Sequence, residues 1–341
     1  MPVQDQSLYL LTEDLGEKVE VLRHLGLKTP DPDSQYINDI QSELAYELQS
    51  AIGPNSKVVR RKMRDVAEEV IDKIHTIHGE DVFVVSTCPE ISAHAGVASI
   101  EVNRLVDRYG DPIGLGPRPG HNDLESQFID IAERSKEGEK HIPIVIAEDG
   151  VFKGETMKYV VEGLRKVGAN VTGIVAGFCY NYVYVEALEK DLTLQVDVVN
   201  VLDSILDWVP DHDFLPFTPG CGKVLGTDVG QHALPYYGED QATFCMPYIS
   251  PYSPVEQWAT IPQEKVDVFS KHCRALSYEL FSQIEKFNPD MTPLMVSDVM
   301  NSRQQVSIPI SLEVKGSEIE NYLPDAKTQI KAYLQRDTAN V

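Results

Sequence analysis

The sequence has little basic charge and few cysteines, and each shortage narrows the functions open to it. Thirty Lys and Arg stand against 53 Asp and Glu in 341 residues, a formal net charge of -23 at pH 7. A surface this acidic disfavours general attraction to nucleic acid or to an anionic membrane, so an anionic ligand must be held locally. The five cysteines, Cys88, Cys179, Cys221, Cys245 and Cys273, are scattered, odd in number and never spaced as Cys-x-x-Cys. That spacing argues against a disulfide framework or a zinc knuckle, and reduced thiols are expected. No stretch approaches the roughly 20 apolar residues of a membrane span, and Met1 to Glu17 lacks a basic flank beside an apolar run. A cytoplasmic protein with no membrane association is the expectation.

Hydrophobic residues make up 42% of the chain, enough for a sizeable core in one large domain or two. The stretches Ser34 to Ile52 and Val58 to His78 carry apolar residues at three- and four-residue spacing, broken by Gly53-Pro54-Asn55. This predicts a helical N-terminal region over residues 1–78. At Asp81 the texture changes: Val82-Phe83-Val84-Val85 suits a buried parallel strand, followed by a polar loop and the helical stretch Val97 to Tyr109. The pattern then repeats. Strands are expected at Asp111 to Leu115, Ile142 to Ala147 and Asn170 to Gly177, and helices at Asn122 to Ser135 and Thr156 to Val167. Such alternation predicts a doubly wound, mostly parallel α/β sheet over residues 79–205.

Residues 206–341 read as an α+β C-terminal extension. Leu192 to Leu202 suits one more core strand, residues 209–262 read mainly as loop, and Gln263 to Phe287 as a helix. A strand-like Gln305 to Val314 and a helix Pro324 to Arg336 complete it. The aromatic stretch from Pro235-Tyr236-Tyr237 through Pro251-Tyr252 to Trp258 is long enough to pack over the core, against another subunit, or over a site.

The segment Glu148-Asp149-Gly150-Val151-Phe152-Lys153-Gly154-Glu155-Thr156 stands between an apolar strand and an amphipathic helix. In open α/β sheets ligands bind outside the carboxyl ends of the strands, which makes this loop a candidate site. A helix N-terminus offers unsatisfied N–H groups and the positive end of the macrodipole to a phosphate. Gly154 permits close approach of the backbone, while Lys153 and Thr156 add side-chain contacts. Glu148 and Asp149, as paired acceptors, suit the two vicinal hydroxyls of a ribose.

At these residues the chain resembles the type I phosphoribosyltransferase family, whose signature is an apolar strand, two acids, four variable residues, Gly, any residue and Thr or Ser. Ile144 to Asp149 and Gly154-Glu155-Thr156-Met157 look most like its purine-salvage branch. The resemblance covers about residues 79–205. It implies a phosphoribosyltransferase-type sheet and transfer of a ribose 5-phosphate group between pyrophosphate and a nitrogenous base. The implied ligands are phosphoribosyl pyrophosphate or a nucleotide with Mg2+, and a homo-oligomer is left open.

The resemblance assigns ribose binding to Glu148 and Asp149, and phosphate binding to Val151, Phe152, Lys153, Gly154, Glu155 and Thr156. Ser86, Thr87 and Cys88 fall where the family's pyrophosphate loop stands, with Arg118 in the place of its mobile loop. Trp208, Asp213 and Phe214 fall where the hood recognises the base. Phe152 departs from the family pattern and cannot act as a general base, so no catalytic residue is assigned. Glu155 adds negative charge to the phosphate loop, and Ser86 to His94 contains neither Lys nor Arg. A non-catalytic ribose-phosphate or nucleotide-binding regulatory or assembly protein is the alternative reading.

Other features read as structural. The cluster Lys57, Arg60, Arg61, Lys62 and Arg64 suits a solvated helix face, although it could also close over an anion or meet a second subunit or an RNA backbone. Asp211-His212-Asp213 and the helical pair His75 and His78 lack a partner cluster at ligand spacing, so no metal site is assigned. Cys88, with no activating neighbour legible nearby, is expected to be inert.

Overall fold

The computed structural model describes residues 7–107, 109–138, 140–202, 204–226, 243–299, 305–307 and 329–336. The chain separates into two units, one formed by residues 61–102 and 121–205 and the other by residues 1–60, 103–120 and 206–341.

The unit formed by residues 61–102 and 121–205 holds the expected α/β sheet. Its elements are α1 (Met63–His78), β1 (Phe83–Ser86), α2 (Pro89–Ala95), β2 (Ala98–Ser99), α3 (Leu124–Arg134), β3 (Ile144–Val151), α4 (Glu155–Lys166), β4 (Val171–Cys179), α5 (Tyr182–Leu192) and β5 (Gln195–Val201). The strands form one sheet in the order β5-β4-β3-β1-β2, and every pairing is parallel. Parallel strands need both faces covered, and the run Ile144 to Ala147 is buried throughout, as is Ile174-Val175-Ala176. From β3 the chain winds outward through β4 to β5, whereas from β1 it winds the other way to β2. Right-handed connections therefore place α2 on one face and α4 and α5 on the other. The winding direction reverses between β1 and β3.

Glycine sets the closeness of helix to sheet. A Cβ on Gly173 would meet His78 Cε1 at 2.5 Å, and one on Gly177 would meet Val66 Cγ1 at 2.6 Å, so α1 lies against β4 where no larger residue fits. The helices begin where the sequence supplies caps: Asp123 accepts from Ser126 N at 2.9 Å ahead of α3, and Asn181 from Val183 N at 2.9 Å ahead of α5.

The other unit corrects the expected helical region over residues 1–78. Ser7–Glu13 and Ser56–Lys62 are strands, joined with Ile205–Pro210 in a three-stranded sheet. Val58-Val59 among alternating charged residues favours the extended state, and Gly53, at φ +79, ends the preceding helix Gln35–Ile52. The helix expected over Val97 to Tyr109 is corrected likewise, since Ala98–Ser99 and Val102–Val106 are strands. Ala98–Ser99 pairs with β1, and Val102–Val106 with Lys223–Leu225 of this unit. The apolar spacing there fits either state, and distant partner strands decide it. Pro112–Pro117 is a strand as expected.

Gln263–Phe287 is the helix expected there, burying Val266, Phe269, Cys273, Leu276, Leu280 and Ile284 at helical spacing. Within residues 209–262, expected mainly as loop, are the 3-10 turn Asp211–Phe214, the strands Lys223–Leu225 and Thr243–Met246, and the helix Val255–Trp258. Tyr252 and Trp258 are buried in this unit's core, whereas Tyr236 and Tyr237 lie outside the described residues. Of the expected C-terminal elements, Gln305–Ser307 is strand and Ile330–Arg336 helix, Gln329 forms an isolated bridge with Met295, and the remainder of both lies outside the described residues. Among the described residues no helix is long and apolar enough to cross a membrane.

Candidate functional site

The reversal point between β1 and β3 is where an open sheet leaves a crevice at its carboxyl end. The residues that leave those two strands meet there. Thr87 follows β1, and its hydroxyl donates to Glu148 Oε2. Ser86 Oγ, fully buried, lies 2.9 Å from Ala147 O, to which it donates, and accepts from Cys88 N at 3.1 Å. This holds the turn after β1 against β3. The carboxylate pair is half-buried within β3, which runs on to Val151 and so carries Glu148 and Asp149 on strand backbone. Asp149 Oδ1 accepts from Gly150 N at 2.8 Å.

Cys88 is buried beside this pair, and its Sγ lies 3.2 Å from Glu90 Oε2. Burial pushes its thiol well above the usual value, and the charges of Asp149, Glu90 and Glu148 push it further the same way. Both effects favour the protonated thiol.

Between β3 and α4 the chain turns through Phe152, Lys153 and Gly154. Gly154 is the N-cap of α4 at φ +75 and ψ +7, a left-handed conformation that glycine adopts without strain. It lies against Leu188 of α5, whose Cδ1 and Cδ2 would stand 3.0 Å from a Cβ at this position. A glycine cap has no side chain to occupy the first-turn N–H groups, so the start of this 12-residue helix is open to a ligand acceptor. Lys153 and Glu155 are exposed, Thr156 is half-buried, and Val151 is buried in the strand end.

The structure thus brings Ser86, Thr87, Cys88, Glu148, Asp149 and Val151 to Thr156 together at one end of one sheet. Arg118, Trp208, Asp213 and Phe214 belong to the other unit. Phe214 is fully buried, with its ring edge-on to Phe269 at 5.0 Å and to Tyr248 at 6.3 Å, so it has no face to offer a base. Trp208 Nε1 donates to Thr12 Oγ1 at 3.1 Å, and Asp213 accepts from Gly222 N at 2.7 Å. Both serve the packing of that unit.

The basic cluster is corrected too: it lies on a strand and the helix start after it. Arg60 pairs with Glu13, while Arg61 pairs with Glu69 at 2.8 Å and lies over the Phe178 ring. His212 Nδ1 stands 2.7 Å from Asp14 Oδ1, and Asp211 accepts from Asp14 N and from Gln41 Nε2. Asp14, Asp211 and His212 bring one ligand atom each within 4.8 Å of one another. The sequence hid this grouping because Asp14 is remote in the chain. Burial works against the His212 charge but Asp14 raises the group overall, Lys18 Nζ lies 3.7 Å from Asp14, and Asp211 is raised by burial and by Asp14.

Sequence reasoning passed over Tyr180, Tyr182 and Tyr184, which follow β4 at the same sheet end. The signal was available, since three tyrosines in five residues at a strand exit are not a core pattern.

No family model matches the sequence, and no curated protein matches it. Solved structures do. The protein TT1426 from Thermus thermophilus is 15% identical, over 42% of this chain and 84% of that one, with a TM-score of 0.28. Orotate phosphoribosyltransferase of Mycobacterium tuberculosis H37Rv, in complex with 5-phospho-α-D-ribosyl 1-diphosphate, is 15% identical over 56% and 91%, with a TM-score of 0.27. Adenine phosphoribosyltransferase of Rhodothermus marinus is 14% identical over 55% and 99%, with a TM-score of 0.27. The strand order and the reversal point define the class: a doubly wound α/β unit, with its candidate site at the ends of β1 and β3.

Proposed function

We propose that the unit of residues 61–102 and 121–205 binds a ribose 5-phosphate ester, and that the protein is a phosphoribosyltransferase-like enzyme acting between pyrophosphate and a nitrogenous base. The observation that carries this reading is the pairing of two carboxylates at the end of β3 with a glycine-capped helix start five residues on. Glu148 and Asp149 accept hydrogen bonds from the ribose hydroxyls. The N–H groups of the Val151 to Thr156 loop and of the first turn of α4 hold the 5′-phosphate, with Thr156 adding its hydroxyl. Ser86, Thr87 and Cys88 face the pyrophosphate.

The charge around Cys88 bears on the cofactor. Asp149, Glu90 and Glu148 all act on that thiol, so a polyanion arriving there meets negative charge and needs a cation. Hard carboxylate and hydroxyl oxygens suit Mg2+, which is commonly bound by one or two carboxylates together with substrate phosphates. Glu148 and Asp149 would hold it, and its chemistry would be to neutralise charge on the departing pyrophosphate. The protein's own contribution is positioning the ribose ring and stabilising positive charge at its anomeric carbon, for which the carboxylate pair is suited.

Isothermal titration of the full chain with phosphoribosyl pyrophosphate and Mg2+ is the test. Binding weakened by Asp149→Asn is expected, and no binding at millimolar ligand would refute the reading. The alternative, a non-catalytic regulatory or assembly protein of the same fold, is favoured by Phe152 in the phosphate loop and by the absence of Lys and Arg from Ser86 to His94. Binding without pyrophosphate release for any base would select it.

A further inference from the structure

Phe152 departs most from what a phosphate loop needs, and the structure places it in aromatic company. Its ring lies 6.3 Å from that of Tyr180 with an interplanar angle of 22°, and Tyr180 lies 6.4 Å from Tyr184. The backbone ties the two segments together, since Tyr180 N donates to Val151 O at 3.4 Å. Asn181, by capping α5, fixes the first turn that carries Tyr184. The three rings form a short ladder along the carboxyl-end rim of β3 and β4, beginning inside the loop assigned to phosphate.

Packing alone does not account for the ladder. Tyr180 is 42% exposed and Tyr184 37% exposed, although tyrosines used as core are largely covered. Rings held by backbone and cap lose little freedom when a ligand stacks on them, and offset or tilted ring pairs at these separations are favourable contacts. The alternative position for a base, around Trp208, Asp213 and Phe214, has the Phe214 ring buried and its polar groups engaged.

We infer that Phe152, Tyr180 and Tyr184 form the platform on which the heterocycle of a nucleoside 5′-phosphate stacks while its phosphate occupies the Val151 to Thr156 loop. The inference rests on the ribose-phosphate reading of that loop. Recognition by stacking tolerates different bases, because every base offers a π face.

The test compares ribose 5-phosphate with adenosine and uridine 5′-monophosphates as titrants of the full chain. Both nucleotides are expected to bind at least about tenfold more tightly than ribose 5-phosphate, about 1.4 kcal/mol at 25 °C. Tyr180→Ala and Tyr184→Ala should each remove most of that gain while leaving ribose 5-phosphate binding in place, and Tyr180→Phe should keep it. Equal binding of nucleotides and ribose 5-phosphate, or a gain untouched by Tyr180→Ala, overturns the platform and leaves the ribose-phosphate reading standing. If ribose 5-phosphate and both nucleotides all fail to bind, the underlying reading fails and the platform with it.

Discussion

Replacing Gly154 by alanine tests the geometry of the loop directly. The substitution imposes two costs that can be separated. A left-handed conformation costs an L-residue roughly 1–2 kcal/mol, and Gly154 stands at φ +75. The new Cβ also meets Leu188 Cδ1 and Cδ2 at 3.0 Å. Leu188 is only 4% exposed, so it gives way only by disturbing its own packing, for about 1–2 kcal/mol more. Gly168, just beyond the other end of the same helix, provides the control: its φ is +87, with nothing within 4 Å of an added Cβ. Gly168→Ala should therefore cost the conformational part alone. Denaturant unfolding of the two variants is expected to place Gly154→Ala about 1–2 kcal/mol below Gly168→Ala. Adding Leu188→Ala should make the first loss less than additive, because the crowding partner is gone. Equal losses for the two glycine variants, or strict additivity with Leu188→Ala, would refute the claim that Gly154 is needed for close approach to α5.

Two further predictions concern titration. Cys88, whose thiol is raised by burial and by Asp149, Glu90 and Glu148, should react with a thiol reagent at about pH 8 far more slowly than the unfolded chain. Asp149→Asn should quicken it, and peptide mapping that finds Cys88 labelled at the unfolded rate would contradict the electrostatics. Lys223, with Nζ 3.9 Å from the Trp258 ring centroid, is lowered from 10.5 to about 8 by burial first and by Arg104 second. Between about pH 8 and 10.5 the unfolded chain holds a proton that the folded chain has released, so this group makes stability rise with pH across that window. Lys223→Met should flatten that rise in thermal unfolding scans. An unchanged slope would count against the depressed value.

The legible parts of this protein were those whose cause is local. The run Ile144 to Ala147 and the helix Gln263–Phe287 follow from local apolar spacing, and each appears where the sequence put it. The Glu148 to Thr156 segment was legible for the same reason, since strand end, glycine and helix start are contiguous. Ser7–Glu13, Ser56–Lys62 and Val102–Val106 were not, because a short apolar run becomes strand only when another strand lies beside it.

Sequence alone therefore determined the alternating α/β character of residues 122–201, the acidic surface and the carboxylate-glycine loop. Tertiary structure decided that Thr87 answers Glu148 across two strands, that Phe152 stacks with Tyr180, and that Phe214 is core. It also decided that residues 1–60 and 103–120 fold with 206–341. The physical reason is the range of the forces: periodicity and capping act within a few residues of one another. Strand pairing, ring contact and burial depend on partners that the chain brings together only when it folds.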